Sequence, residues 1–247
     1  MSGLAVAACV AIPIALSYRR GGALQVKDQH FNVAGDLHWR RRLQHAACGL
    51  AVTASYQWLV TESNNVVTVI VISCSGLVVL HGLRSHHKAV NDAYIRLMAP
   101  LLRPHEVHGL PGAFWFLLGA AVAVALFPKP VALQSILHLS LGDPAASLVG
   151  ISLGSSSRVL ARGKSIAGLM AAFVACTLAS LSLFLSLLGP GQRGPVIILA
   201  GMGGVSGALG EALPLGMDDN FSMPVVSGLL FLMLHWCWTG SPELIVD

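Results

Sequence analysis

Charge is scarce in this chain: Asp, Glu, Lys and Arg together make up 11% of 247 residues, against 55% hydrophobic residues. An ordinary soluble domain of this length carries about twice that charge, and the mean hydropathy of +0.72 points the same way. Paired cysteines are absent too. Cys9, Cys48, Cys74, Cys176 and Cys237 lie far apart in apolar stretches with no CxxC among them, which argues against a structural zinc site or a disulfide scaffold and for small buried apolar side chains. No GxxxxGK[ST] loop follows a strand-like run, so a Walker-type phosphate loop is excluded. Internal repeats, low-complexity tracts and a composition break are also missing. The N-terminus has no basic region ahead of its apolar stretch Met1–Ser17; Arg19 and Arg20 come after it, which favours an uncleaved first span over a signal peptide.

What remains is a run of apolar segments. After Met1–Ser17 they are Leu43–Val60, Val66–Leu83, Gly112–Phe127, Val131–Leu153, Ile166–Leu188, Pro195–Leu213 and Met223–Trp238. Lengths near the ~20 residues that cross a bilayer make this an all-α, polytopic transmembrane bundle of seven or eight helices, read as one integral membrane domain over 1–247. With eight spans the connecting segments alternate sides. Thirteen of the fifteen Lys and Arg then fall on one side and two on the other, and the positive-inside rule assigns the rich side to the cytoplasm. Basic loops against a membrane suit anionic headgroups or phosphates.

The stretch Leu141–Phe173 organises the chain. Gly142-Asp143-Pro144 interrupts an apolar segment with an acid and a proline, and a charge at membrane depth marks a functional site by default. The expectation is a helix broken near Asp143, with the carboxylate either binding a metal, positioning a hydroxyl, or capping the helix that restarts at Pro144. Downstream, Arg158, Arg162 and Lys164 stand among Gly154, Ser155, Ser156, Ser157, Gly163 and Ser165 just before the next helix. Cations, pliant backbone and a helix start can cradle a polyphosphate; the plainer reading is topology-setting charge. Glu211 near the end of its span, followed by Asp218 and Asp219, offers the carboxylates that a divalent cation carrying substrate phosphates needs, or else a solvated acidic turn. Arg40, Arg41 and Arg42 sit below a span with His45 one turn in.

Two other patterns carry less. His105-Glu106-Val107-His108, with His81, His86 and His87 nearby, lacks the HExxH spacing of a zinc site. Gly201, Gly203, Gly204, Gly207 and Gly210 superficially resemble a dinucleotide fingerprint, but no strand precedes them and they lie inside an apolar helix, where small residues serve close helix packing.

Several motifs in one order resemble the CTP-dependent lipid kinases, the family of diacylglycerol, dolichol and phytol or farnesol kinases. They are Arg41-Arg42-Leu43-Gln44-His45 with Gly49; Glu106 and His108 followed by Gly112 and Phe114–Gly119; Gly142-Asp143-Pro144-Ala145-Ala146 with Gly150; Lys164-Ser165 with Gly168; Glu211; and Asp218-Asp219-Asn220-Phe221 with Pro224. The resemblance spans about Arg40 to Ser227, placing a kinase-like core at 40–240 behind an N-terminal segment of 1–39. Glu106-x-His108 and Asp218–Val225 look most similar to the diacylglycerol kinase branch, whereas Glu211-Ala212-Leu213-Pro214 is closer to the phytol kinase branch. Two departures stand out. Arg41-Arg42 replaces the usual Arg-Lys, and Ile151-Ser152-Leu153 replaces a basic-aromatic pair, leaving Arg158 or Arg162 to supply that phosphate contact.

The resemblance implies transfer of the γ-phosphoryl group of CTP to a membrane lipid hydroxyl, foremost diacylglycerol, in the endoplasmic reticulum membrane with the site facing the cytoplasm. It assigns Asp143, Glu211 and Lys164 to catalysis; Arg41, Arg42, His45, Gly150, Arg158, Arg162, Lys164 and Ser165 to the nucleotide; and Asp143, Asp218 and Asp219 to Mg²⁺. CTP and a lipid are the expected partners, with no nucleic acid; oligomeric state is left open. Polyprenol, phytol or dolichol kinases, a phosphatidate cytidylyltransferase releasing pyrophosphate, and a secondary transporter with a broken helix are the alternatives.

Overall fold

A computed structural model describes residues 39–59, 62–99, 101–153, 164–213, 215–241 and 243. Met1–Ser17, Arg158, Arg162 and Cys9 therefore lie outside the described residues. Within them the chain is helical: α1 Trp39–Ala54 with a π turn to Leu59, α2 Ser63–His86, α3 Lys88–Met98, a 3₁₀ turn Pro104–Val107, α4 Gly112–Leu126, α5 Lys129–Leu137, α6 Asp143–Ser152, α7 Ile166–Leu188, α8 Arg193–Ala212 and α9 Asp219–Thr239. A second π turn, His138–Gly142, joins α5 to α6, so Lys129–Ser152 is one helix with a bulge and the total is eight among the described residues. α2, α7, α8 and α9 are long and apolar enough to cross a membrane, and the protein is an integral membrane protein. Each of the seven apolar segments from Leu43 onward becomes a helix. The eighth helix, α3, falls in a stretch that reads as polar.

The bundle closes where side chains are smallest. On α8 a Cβ at Gly203 or Gly204 would overlap Ser180 or Thr177 of α7, and one at Gly207 would lie 2.5 Å from Cys176 Sγ. The glycine series is thus a packing seam between α7 and α8, as small residues in membrane helices allow. α9 packs on α8, α4 and α5, and α2 packs on α4. The outer face of α2 shows Val69, Ile72 and Val79, the surface a lipid-facing helix presents. The cysteines divide along the same lines: Cys74 and Cys176 are buried, but Cys48 and Cys237 are exposed, because α1 and α9 turn those positions outward.

The expected break at Asp143 takes a different form. Backbone dihedrals stay helical through Gly142 and Asp143, and the interruption is the π turn one step earlier. A proline within a helix clashes with the carbonyl of the preceding turn and supplies no N–H; widening that turn by one residue relieves both problems. In π register the carbonyl of Leu139 would face residue 144, which is Pro144 and cannot donate. His45 Nε2 donates to it instead, at 3.2 Å, so the ring carries its proton there. Gly49 of α1 lies so close to Ser140 that a Cβ would overlap its hydroxyl, and on the far side Ser180 Oγ accepts from Gln134 Nε2 at 3.0 Å and is hydrogen-bonded with His138 Nε2 at 2.9 Å. The bulge that carries Asp143 is held from α1 and from α7.

Candidate functional site

At one end of the bundle a cavity of about 260 Å³ opens between α6, the start of α7 and the junction of α8 with α9. α6 contributes Asp143, Ser147 and Gly150, spaced three and four residues apart so that they share one face. Lys164 and Ser165 come from the start of α7, Glu211 from the last turn of α8, Asp219 from the first turn of α9, and Arg103 from the segment before the 3₁₀ turn. Close backbone approach shapes the wall: a Cβ on Gly168 would lie 2.8 Å from the carbonyl of Ala146. Ser165 caps α7 by accepting from Gly168 N at 3.1 Å, so its hydroxyl first serves the helix.

Lys164 is the hub. Its ammonium donates to Glu211 Oε1 at 3.1 Å, to the Glu211 carbonyl, and pairs with Asp219 Oδ2 at 3.3 Å. The carbonyl belongs to the last turn of α8, whose acceptors have no helical partner and favour a cation. Burial alone would lower the Lys164 pKa, but Glu211 and Asp219 outweigh it and hold the amine above its ordinary value. The second oxygen of Glu211, Oε2, is buried without a hydrogen-bond partner. Asp143 sits at the first position of α6 with no capping bond, and its carboxylate makes no hydrogen bond or ion pair with the described residues. The capping role expected as one reading of Asp143 is therefore not the one it fills: the helix never stops before it, so there is no free N–H set to cap.

A second network stands behind the first. Glu106, 3% exposed, accepts from Arg103 N at 3.1 Å, and its Oε1 lies 4.0 Å from Arg41 Nη2 and 3.9 Å from Arg103 Nε. Arg103 Nη1 reaches Asp218 Oδ2 at 3.8 Å. Asp218 caps α9, accepting from Asn220 N at 3.0 Å; burial raises its pKa, with Glu106 and Asp219 adding to the rise and Asn220 and Arg103 opposing it. Arg84 holds the segment in place, donating to the carbonyl of Val107 at 2.7 Å and to Asn91 Oδ1 at 3.2 Å with its guanidinium over Tyr94.

Of the residues expected from sequence, Asp143, Gly150, Lys164, Ser165, Glu211 and Asp219 line one cavity. Arg41 and Asp218 stand one layer back in the Glu106 network. His45 supports the π turn, and Arg42 donates through Nη2 to Ser147 Oγ at 2.9 Å from the other side of α6. Arg158 and Arg162 lie outside the described residues. Arg103 is a cavity cation that sequence reasoning misses, since in the sequence it is one topology charge among several; the signal for it is its place three residues before Glu106, on the rich side of the alternation. Among the described residues no group of three or more His, Cys, Asp or Glu is placed to hold a metal by itself.

No family model matches the chain and no solved structure matches it. Curated relatives do. CTP-dependent diacylglycerol kinase 1 of Eremothecium gossypii is 32% identical over 206 residues, covering 76% of this chain and 64% of that protein. The protein of the same name from Schizosaccharomyces pombe is 33% identical over 159 residues, covering 62% of this chain and 73% of its own length; that of Saccharomyces cerevisiae is 29% identical over 205 residues, 76% of this chain and 70% of its length. The chain thus spans a little under two thirds of the first relative and somewhat more of the others. All three matches are broader than the cavity motifs alone could produce, and on them the chain belongs to the CTP-dependent lipid kinase family, in its diacylglycerol kinase branch.

Proposed function

We propose that the protein transfers the γ-phosphoryl group of CTP to the hydroxyl of a membrane lipid, diacylglycerol foremost, giving phosphatidate and CDP. The observation that carries this reading is the composition of the cavity: two cations, Lys164 and Arg103, and three carboxylates, Asp143, Glu211 and Asp219, at the end of an apolar bundle. Phosphoryl transfer asks a protein mainly to position its reactants and to neutralise charge. Lys164 and Arg103 face the phosphates, with Arg41 and Arg42 adding positive potential from behind. Asp143, the carboxylate with no partner among the described residues, orients the lipid hydroxyl and receives its proton as the oxygen attacks the γ-phosphorus and the bond to the β-phosphate oxygen breaks. Glu211, tied to Lys164, is the second candidate for that proton.

Mg²⁺ fits the donor set. It needs only one or two carboxylates when substrate phosphates complete its shell; Asp219 and Asp143 face the cavity, and the buried unpartnered Oε2 of Glu211 is a further oxygen. Asp218, engaged by Arg103 and Asn220, supports Asp219 from outside. When bound there, the cation would neutralise charge on the transferred group. Of the four connections that sequence places on one side, three carry Lys or Arg and the one before α9 is acidic; Arg103, Lys164 and Asp219 from this side line the cavity, with Arg41 one layer back. That supports a site facing the cytoplasm, and the endoplasmic reticulum membrane is the compartment proposed.

The test is incubation of purified protein with CTP or ATP labelled at the γ-phosphate and a panel of lipid alcohols. Label in diacylglycerol with CTP as donor is expected. Label in a polyprenol alone would move the chain to the dolichol or phytol reading, release of pyrophosphate would make it a cytidylyltransferase, and label in no lipid would remove the kinase reading.

A further inference from the structure

α6 has two working faces. Asp143, Ser147 and Gly150 look into the polar cavity, whereas Pro144, Ala145 and Leu148 form one wall of a separate, almost wholly apolar groove of about 360 Å³, closed on its other side by Arg42, Leu43 and Ala46 of α1. Leu43 and Leu148 are 61% and 44% exposed, so the groove opens outward on the bundle, toward lipid in a membrane-embedded chain. Arg42 joins the two spaces: it lines the groove, yet its Nη2 donates at 2.9 Å to the hydroxyl of Ser147 on the cavity face. Its Nη1 is buried and has no acceptor. A buried guanidinium N–H without a partner is costly, and an acceptor delivered by a ligand at that seam removes the cost.

We infer that this groove between α1 and α6 is the acyl-chain subsite of the lipid acceptor. The inference rests on the kinase reading and deepens it. Three features select a fatty acyl chain joined to a polar head over other occupants. The wall is apolar along its length, the groove meets the polar cavity across a single helix, and the unpartnered donor stands at the junction. In a diacylglycerol the free hydroxyl is on the carbon next to one bearing an acyl ester. With that hydroxyl at Asp143, the ester carbonyl falls at the seam, where Arg42 Nη1 donates to it, and the chain continues along Ala46, Ala145 and Leu148 toward the bilayer. The π turn contributes here as well, because it sets the rotation of α6 that puts Asp143 on one face and Pro144 on the other.

Narrowing the groove tests this without touching the cavity. Ala46→Phe and Leu148→Trp each remove space that a long chain needs, so kcat/KM for dioleoylglycerol should fall by about tenfold or more, the equivalent of leaving two or so methylenes unburied. Dihexanoylglycerol, whose chains reach only part of the groove, should lose several-fold less than dioleoylglycerol, and the activity that remains on it shows that the variants fold. A second readout needs no turnover: a diacylglycerol with a diazirine midway along one chain should label peptides containing Ala46 or Leu148, and unlabelled dioleoylglycerol should compete. Equal losses on both substrates, no loss on either, or no competable label at these peptides would overturn the proposal. So would a photoreactive residue installed at position 46 that crosslinks to a peptide from residues 1–38, which would make the chain's own N-terminal segment the occupant. A protein that phosphorylates no lipid at all refutes the kinase reading instead, and the crosslinking result then stands by itself as a test of lipid in the groove.

Discussion

Replacing Lys164 by Met keeps the length of the side chain and deletes its charge, which separates what the hub does for folding from what it does for phosphate. The Glu211 side chain is 11% exposed, so its charge-assisted bond contributes about 1.5–3 kcal/mol. Asp219 is 42% exposed and solvent screening limits that pair to about 1 kcal/mol or less. Lys164→Met should therefore cost about 2–3 kcal/mol and lower the thermal midpoint in detergent by roughly 5–10 °C. Adding Glu211→Gln removes the stranded charge and should recover about half of that loss. Activity should not follow. A cation aimed at a transferring phosphoryl group is worth on the order of a hundredfold in turnover, and both the single and the double variant should lack it. The pH dependence has a definite sign. Because the folded-state pKa of Lys164 is held above its ordinary value of 10.5, its stabilisation is complete below that pH and disappears as pH rises through the folded value. The gap in midpoint between wild type and Lys164→Met should thus be constant from neutral pH to about 9.5 and narrow only as pH rises past the ordinary lysine value of 10.5. A gap that already narrows between about pH 7 and 9, or a variant with unchanged midpoint and more than half its turnover, would refute the reasoning.

Asp143→Asn should cost on the order of a hundredfold or more in kcat, as loss of a positioned proton acceptor does, while leaving the thermal midpoint nearly unchanged because the carboxylate has no partner to lose; labelled-CTP turnover and differential scanning fluorimetry on one preparation check both. Glu106→Ala strands Arg41 and Arg103 around an empty place and should destabilise by about 3–5 kcal/mol, whereas Glu106→Gln keeps an acceptor for Arg103 N and should cost about half as much. Gly207→Val forces the α7–α8 seam apart at Cys176 Sγ and His138, an overpacking penalty of about 1–3 kcal/mol that Cys176→Ala should partly relieve; equal midpoints with and without the second change would show that the seam is not where the strain lies.

Apolar run length and the placement of Lys and Arg were enough to read the helices from Leu43 onward and the common side of the charged connections, because both signals are set by the bilayer and not by tertiary detail. The amphipathic α3 escaped that reading for the same reason: it carries Lys88, Asp92 and Arg96 on eleven residues, too polar and too short to register as a span. Asp143 was legible as a misplaced charge, but the π turn was not, since it depends on a pairing 94 residues distant, between His45 and the carbonyl of Leu139. His45 illustrates the limit well. The resemblance implies a nucleotide contact for it, and the fold adds a second role, a bond from Nε2 to the backbone that carries Asp143. Arg103 shows the converse. A cation in a basic loop looks like topology charge from sequence, and only the fold brings it to Glu106, Asp218 and the cavity wall. Residues that act through local rules were visible; those that act by closing distances between helices were not, and at this site that second group fixes where the first can work. The π turn is the clearest case: Pro144 supplies the local reason for it, while His45, Gly49 and Ser180 from two other helices decide which way the resulting face of α6, and with it the carboxylate of Asp143, is turned.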